Sequence, residues 1–195
     1  ALLKRDQDLA DKVSGKDFLM NEFDIKIENL VINLIALRQP MGIDLRETVS
    51  SMRISSELER IGDLSKNIAK RVRHLTFDVP SEIADSFKRA SNVVQKNLKD
   101  VLDSYSKRTK DTAFRVWNSD LQVDELVNLV MAELLDFMKK NEKNLEISTH
   151  LLFAAKHIER IGDHVTNISE NVYFLVTGDQ IKGTRSKKVD KSVET

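Results

Sequence analysis

Apolar residues return at helical spacing almost from end to end of this chain, and runs that alternate apolar with polar are nearly absent. Between Phe18 and Arg38, the residues Phe23, Ile27, Leu30, Val31 and Leu34 recur at i, i+3, i+4, i+7 intervals, which makes one face of a helix apolar. "RQPMGID" ends that helix, because proline cannot continue it and disfavours helical geometry in the residue before it. Asp44 followed by Glu47 reads as a capping box that opens a helix running to about Leu75. Beyond Pro80 another covers Ser81 to about Ser106, and Thr109 or Asp111 caps the next. The polar "KKNEKN" at 139–144 marks a turn, and the last helix reaches about Val176, with Gly178 as its C-terminal cap. The remainder, "KGTRSKKVDKSVET", is polar, basic and without periodicity, which predicts a frayed tail.

One pentapeptide, "ERIGD", is written twice, at Glu59–Asp63 and at Glu159–Asp163. An offset of 100 also pairs Leu58 with Ile158, Asn67 with Asn167, Ile68 with Ile168 and Val72 with Val172. One helix earlier, "DIKIENLVINLIAL" from Asp24 is similar to "DLQVDELVNLVMAEL" from Asp120 at an offset of 96. The repeated unit is therefore a helix–turn–helix segment rather than a motif. The second unit has a long leading helix at 81–106, in whose place the first has only "ALLKRDQDLADKV". On this register that first helix would begin about 15 residues ahead of Ala1, so it is read as incomplete. The expected fold class is all-α: six helices as two tandem three-helix bundles, over residues 1–77 and 78–178, with a flexible tail at 179–195.

Composition narrows the partners. Lys+Arg and Asp+Glu both total 31, so no net field draws the chain to nucleic acid or acidic lipid. Charged residues make up 32% and apolar ones 41%, which suits helices with a core stripe and broad solvated faces. The absence of cysteine excludes disulfides, zinc–thiolate sites and a cysteine nucleophile. No stretch approaches the roughly 20 apolar residues of a membrane span, which points to a soluble, cytoplasmic protein.

The candidate chemistry lies in carboxylates. Glu59 and Asp63, and again Glu159 and Asp163, stand i, i+4 on one shoulder of the apolar arc of their helix. Asp24/Glu28 and Asp120/Asp124 have the same spacing on the preceding helices, so each repeat carries four acids on two helices that must pack together. Clustered like charges repel unless a cation lies among them, and an all-oxygen donor set suits magnesium, manganese or iron. The alternative is an ordinary solvated acidic face, with Arg60 and Arg160 pairing to acids nearby. The glycine inside each motif costs a helix about 1 kcal/mol relative to alanine, which calls for a close approach by another helix or a bound group.

Other residues carry less. His150, His157 and His164, seven apart, form a row on the opposite shoulder and read as surface or interface residues, as does His74. Trp117 reads as packing. There is no Gly-rich phosphate loop, HExxH or nucleophile elbow.

"DLRETVSSMRISSELERIGDLSKNIAKR" and "HIERIGDHVTNISENVYFLVTGDQI" resemble the two signature segments of the PhoU family, and "ALRQPMGIDLR" extends the similarity. The resemblance implies six helices in two bundles and a non-enzymatic, cytoplasmic negative regulator of the phosphate-starvation response. Its implied partners are the ATPase subunit of a phosphate ABC transporter and a membrane sensor histidine kinase, with peripheral attachment to the inner membrane through them and a homodimer as a further expectation. It also implies iron, zinc, manganese or magnesium at Glu59, Asp63, Glu159 and Asp163. Asp24, Glu28, Asp120 and Asp124 would be the remaining ligands, with Arg60, Arg160, Asn67 and Asn167 in support. Arg46 in "DLR" corresponds to Glu146, so the two sites need not bind alike. A metal-dependent hydrolase or oxidase on the same carboxylates, and a metal-free helical adaptor, are the alternatives.

Overall fold

The computed structural model describes residues 1–76 and 78–182, and among these there is no strand. Seven α-helices follow in order: α1 (Gln7–Gly15), α2 (Asp17–Arg38), α3 (Gly42–Lys70), α4 (Ser81–Lys107), α5 (Lys110–Asn118), α6 (Asp120–Lys140) and α7 (Leu145–Thr177). The all-α expectation holds, and the helix count exceeds six because two helices are interrupted. Lys16, with ψ near −7°, breaks α1 from α2, and Ser119, with ψ near 0°, breaks α5 from α6. The Ser119 hydroxyl donates to the Val116 carbonyl at 2.6 Å and so competes with the helix ladder at the break. The expected tail lies mostly outside the described residues.

Helix ends follow local chemistry. The Asp6 carboxylate caps α1 by accepting from the Leu9 amide at 2.9 Å. Gln39, in left-handed geometry, and then Pro40 close α2. Gly178, at φ 80°, ends α7 as expected, its amide bonding the Phe174 carbonyl. The capping box at Asp44 and Glu47 does not form: α3 starts at Gly42, and Glu47 instead pairs with Arg108 beyond the end of α4.

Helix α7 is the axis of the molecule. Leu151, Ala154, Ile158, Ile161, Val165, Ile168 and Val172 are all buried on it. Helices α4, α5 and α6 pack around it, α1 and α2 pack on α3, and α3 lies along α7. Arg71 meets His150 and Glu57 meets His164, so α3 and α7 run antiparallel.

The repeat register differs from the expected one. A Cβ at Gly62 would lie 3.2 Å from Met20, and one at Gly162 would lie 3.0 Å from Val123. Met20 therefore corresponds to Val123, at an offset of 103 rather than 96. The buried row Asp120, Val123, Val127, Val130 and Leu134 of α6 then matches Asp17, Met20, Asp24, Ile27 and Val31 of α2. The same offset pairs Asp8, Ala10 and Val13 of α1 with Asp111, Ala113 and Val116 of α5, and both alanines are buried. The opening segment is thus the counterpart of α5, not of the long leading helix. Among the described residues nothing in the first unit corresponds to α4.

Candidate functional site

Each carboxylate shoulder is built where two helices approach over a glycine. Mid-helix glycine lets α2 close on α3 and α6 on α7, and the acids ring that contact. In the second unit Asp120 opens α6 and is 8% exposed. The Thr166 hydroxyl, also buried, donates to it at 3.1 Å, and among the described residues no lysine or arginine pairs with it. Glu159, one face of α7 away, accepts from Lys156 at 2.6 and 2.8 Å on the outer edge. Asp124 and Asp163 are half-buried and each is already engaged.

The first unit is wired differently. Lys66 stands where the second unit has Thr166, and its ammonium bridges Asp17 and Asp63, the latter at 2.9 Å. Both carboxylates raise the Lys66 pKa, Asp17 more strongly, while the hydrogen bond from Lys66 holds Asp63 below the usual carboxylate range. Glu59 has Arg60 beside it at 3.5 Å. The second oxygen of Asp17 is buried without a partner.

The structure brings the expected site residues together unevenly. Glu59 and Asp63 join Asp17, which the sequence reading passed over. Asp24 and Glu28, expected as the helix-2 ligands, are displaced by the heptad shift to the positions of Val127 and Met131. Asp17 and Asn21 occupy the places of Asp120 and Asp124. Arg160 is exposed on the outer face of α7. Asn167 serves the α3–α7 seam instead, donating to Glu57 at 3.3 Å beside the 2.6 Å His164–Glu57 contact.

The histidine row lies along the same seam. His150 stacks on His74 with ring centres 4.1 Å apart, and Arg71 reaches His150 at 3.3 Å while lying over Phe153. Burial lowers the pKa of His150 and His157, and Arg71 adds to the effect at both. Trp117 is buried and donates its indole N–H to Glu170, so it packs and anchors α5 to α7.

A metal implied by the family resemblance meets two different donor sets. Among the described residues no three carboxylates or histidines are gathered at metal-binding spacing. The second shoulder nonetheless fits a hard cation in chemistry: four acids line it, and the most buried one has a single hydroxyl donor and no counter-charge. The first does not fit, because an ammonium already lies between two of its three acids.

Comparison with known proteins gives one answer throughout. The sequence matches the PhoU domain twice, over residues 1–72 and 87–172. It is 44% identical over 188 residues to the phosphate-specific transport system accessory protein PhoU homolog of Caulobacter vibrioides, covering 96% of this chain and 82% of that one. The PhoU homolog of Rhizobium meliloti is 41% identical, covering 96% and 79%, and PhoU of Escherichia coli is 29% identical, covering 98% and 79%. The crystal structure of the phosphate transport system regulatory protein PhoU from Streptococcus pneumoniae superposes with a TM-score of 0.85 at 29% identity, covering 93% of this chain and 86% of that one.

Proposed function

The chain belongs to the PhoU family, and from that premise we propose that it is a non-enzymatic accessory protein of a phosphate-specific transport system that restrains the phosphate-starvation response. What supports this is the two-fold domain match along a chain 44% identical to a protein named as such an accessory. The relatives carry the names of accessory and regulatory proteins, which favours docking over turnover. Among the described residues no helix is long and apolar enough to cross a membrane, so contact with a membrane transporter would run through its ATPase subunit on the cytoplasmic side. The second partner in this reading is a sensor histidine kinase.

Metal belongs to the proposal at the second shoulder. Asp120, Asp124, Glu159 and Asp163 would hold it, and it would supply a compact positive charge that satisfies Asp120 and presents an open face to a partner's acids or to phosphate. The protein's own part is to set that charge on α6 and α7, beside a close helix contact. The reading is tested by measuring binding of the purified protein to the transporter's ATPase subunit and to the kinase's cytoplasmic portion, with and without Mn²⁺. Binding to both partners, weakened at least tenfold in Glu159→Gln/Asp163→Asn, is the expected result. Failure to bind either partner would sink the regulatory reading, and binding indifferent to that variant would detach metal from docking.

A further inference from the structure

Resting on the metal reading of the second shoulder, we propose that the first shoulder carries its own cation: Lys66 holds the place a metal takes in the second unit, so metal binding is confined to one half of the molecule. The two shoulders share a glycine contact and a Glu-x-x-x-Asp pair, and they differ at two positions. Lys66 replaces Thr166, and Asn21 replaces Asp124. The first change adds a positive charge and the second removes a negative one. Both therefore act in the same direction, against a second cation.

The lysine is fixed rather than incidental. Its side chain is about a fifth exposed, and it bonds one acid on its own helix and one on α2, so it ties the helices together as a bridging metal would. Those charge-assisted bonds would have to break before a divalent ion could use Asp17 or Asp63, and any ion beside them would face the displaced ammonium. Arg60 lies beside the third acid, Glu59. In the second unit the corresponding hydroxyl bonds Asp120 without neutralising it. Lys156, the cation nearest Glu159, is half exposed on the rim.

The test is Mn²⁺ binding to chelator-stripped protein, read by calorimetry and elemental analysis. Wild type is expected to bind Mn²⁺, and Glu159→Gln/Asp163→Asn to lose it. Adding Lys66→Thr to that variant should restore binding, and Glu59→Gln/Asp63→Asn should abolish it again. Mn²⁺ retained by Glu159→Gln/Asp163→Asn and lost with Glu59→Gln/Asp63→Asn would overturn the proposal, as would no gain on Lys66→Thr. A wild type that takes up no Mn²⁺ would overturn the metal reading itself, a separate outcome. The role of Lys66 is then decided by thermal unfolding. Lys66→Thr alone should melt below wild type without metal and recover when Mn²⁺ is added, whereas a loss that Mn²⁺ leaves unchanged counts against an internal cation.

Discussion

Helices α2 and α6 make the same contact with their partner helices and live in different surroundings. On α6 the row from Asp120 to Leu134 is buried, and α4 covers its other side. On α2 only Val31 of the matching row is buried, and Phe18, Phe23, Ile25, Leu30, Ile32, Leu34 and Leu37 are exposed. The duplication has kept the glycine-mediated contact in both halves, while burial of the remaining faces depends on whether a third long helix lies across them. The same contact can therefore contribute quite different amounts of stability in the two halves.

Leu134 and Val31 occupy corresponding positions and give the largest expected contrast. Leu134 is wholly buried between α4, α6 and α7, so Leu134→Ala should cost about 2–5 kcal/mol in urea unfolding. Val31→Ala, facing α3 alone, should cost about 1 kcal/mol. Equal losses would mean that the outer face of α2 is as well covered as that of α6.

The glycines sharpen the contrast on a smaller scale. Alanine gains about 1 kcal/mol of helix propensity over glycine at either position. At Gly162 the new methyl would meet the β-branched, buried Val123, and overpacking of about 1–3 kcal/mol should make Gly162→Ala net destabilising. At Gly62 it would meet the flexible side chain of Met20, which can move aside, so Gly62→Ala should be neutral or slightly stabilising. Urea midpoints measured side by side would decide this, and a destabilising Gly62→Ala would show the first contact to be as rigid as the second.

The smallest effect is in pH. Burial lowers the pKa of His150 and His157 in the folded chain, so below the unfolded value of 6.5 the unfolded chain binds more protons. Stability present above that value should fall as the pH is lowered through it, well before Asp63, held below 3.8, begins to titrate. The α3 residues corresponding to these histidines are Ser50 and Glu57, so this slope belongs to α7 alone. His150→Gln/His157→Gln should flatten the stability profile between pH 7 and about 5. An unchanged slope would place its origin elsewhere.

The two "ERIGD" copies made the α3/α7 correspondence readable without a structure, because a glycine amid carboxylates has no common alternative explanation in a helix. The α2/α6 correspondence was not readable in the same way. An amphipathic helix resembles itself after seven residues, so "DIKIENL" and "DFLMNEF" are both acceptable partners for "DLQVDEL", and only the Met20 and Val123 contacts choose between them. That slip misplaced Asp24 and Glu28 and hid Asp17. The breaks at Lys16 and Ser119 were missed because neither residue is a helix breaker by type. Lys66 went unnoticed because a lysine on an acidic helix face ordinarily reads as solvated, and its bridging role depends on α2 arriving beside it.

The α3–α7 seam relates the two halves by an approximate two-fold, as the interface of a dimer would, yet both helices belong to one chain. In a homodimer each substitution appears at both ends of the interface at once. Here Glu57 meets His164 at one place while Leu64 and His157 occupy the equivalent pair, and Lys66 answers Thr166. Covalent linkage also keeps the halves at high effective concentration, so the seam can tolerate such mismatches without dissociating. A fused pair can thus hold one half constant while the other is free to specialise.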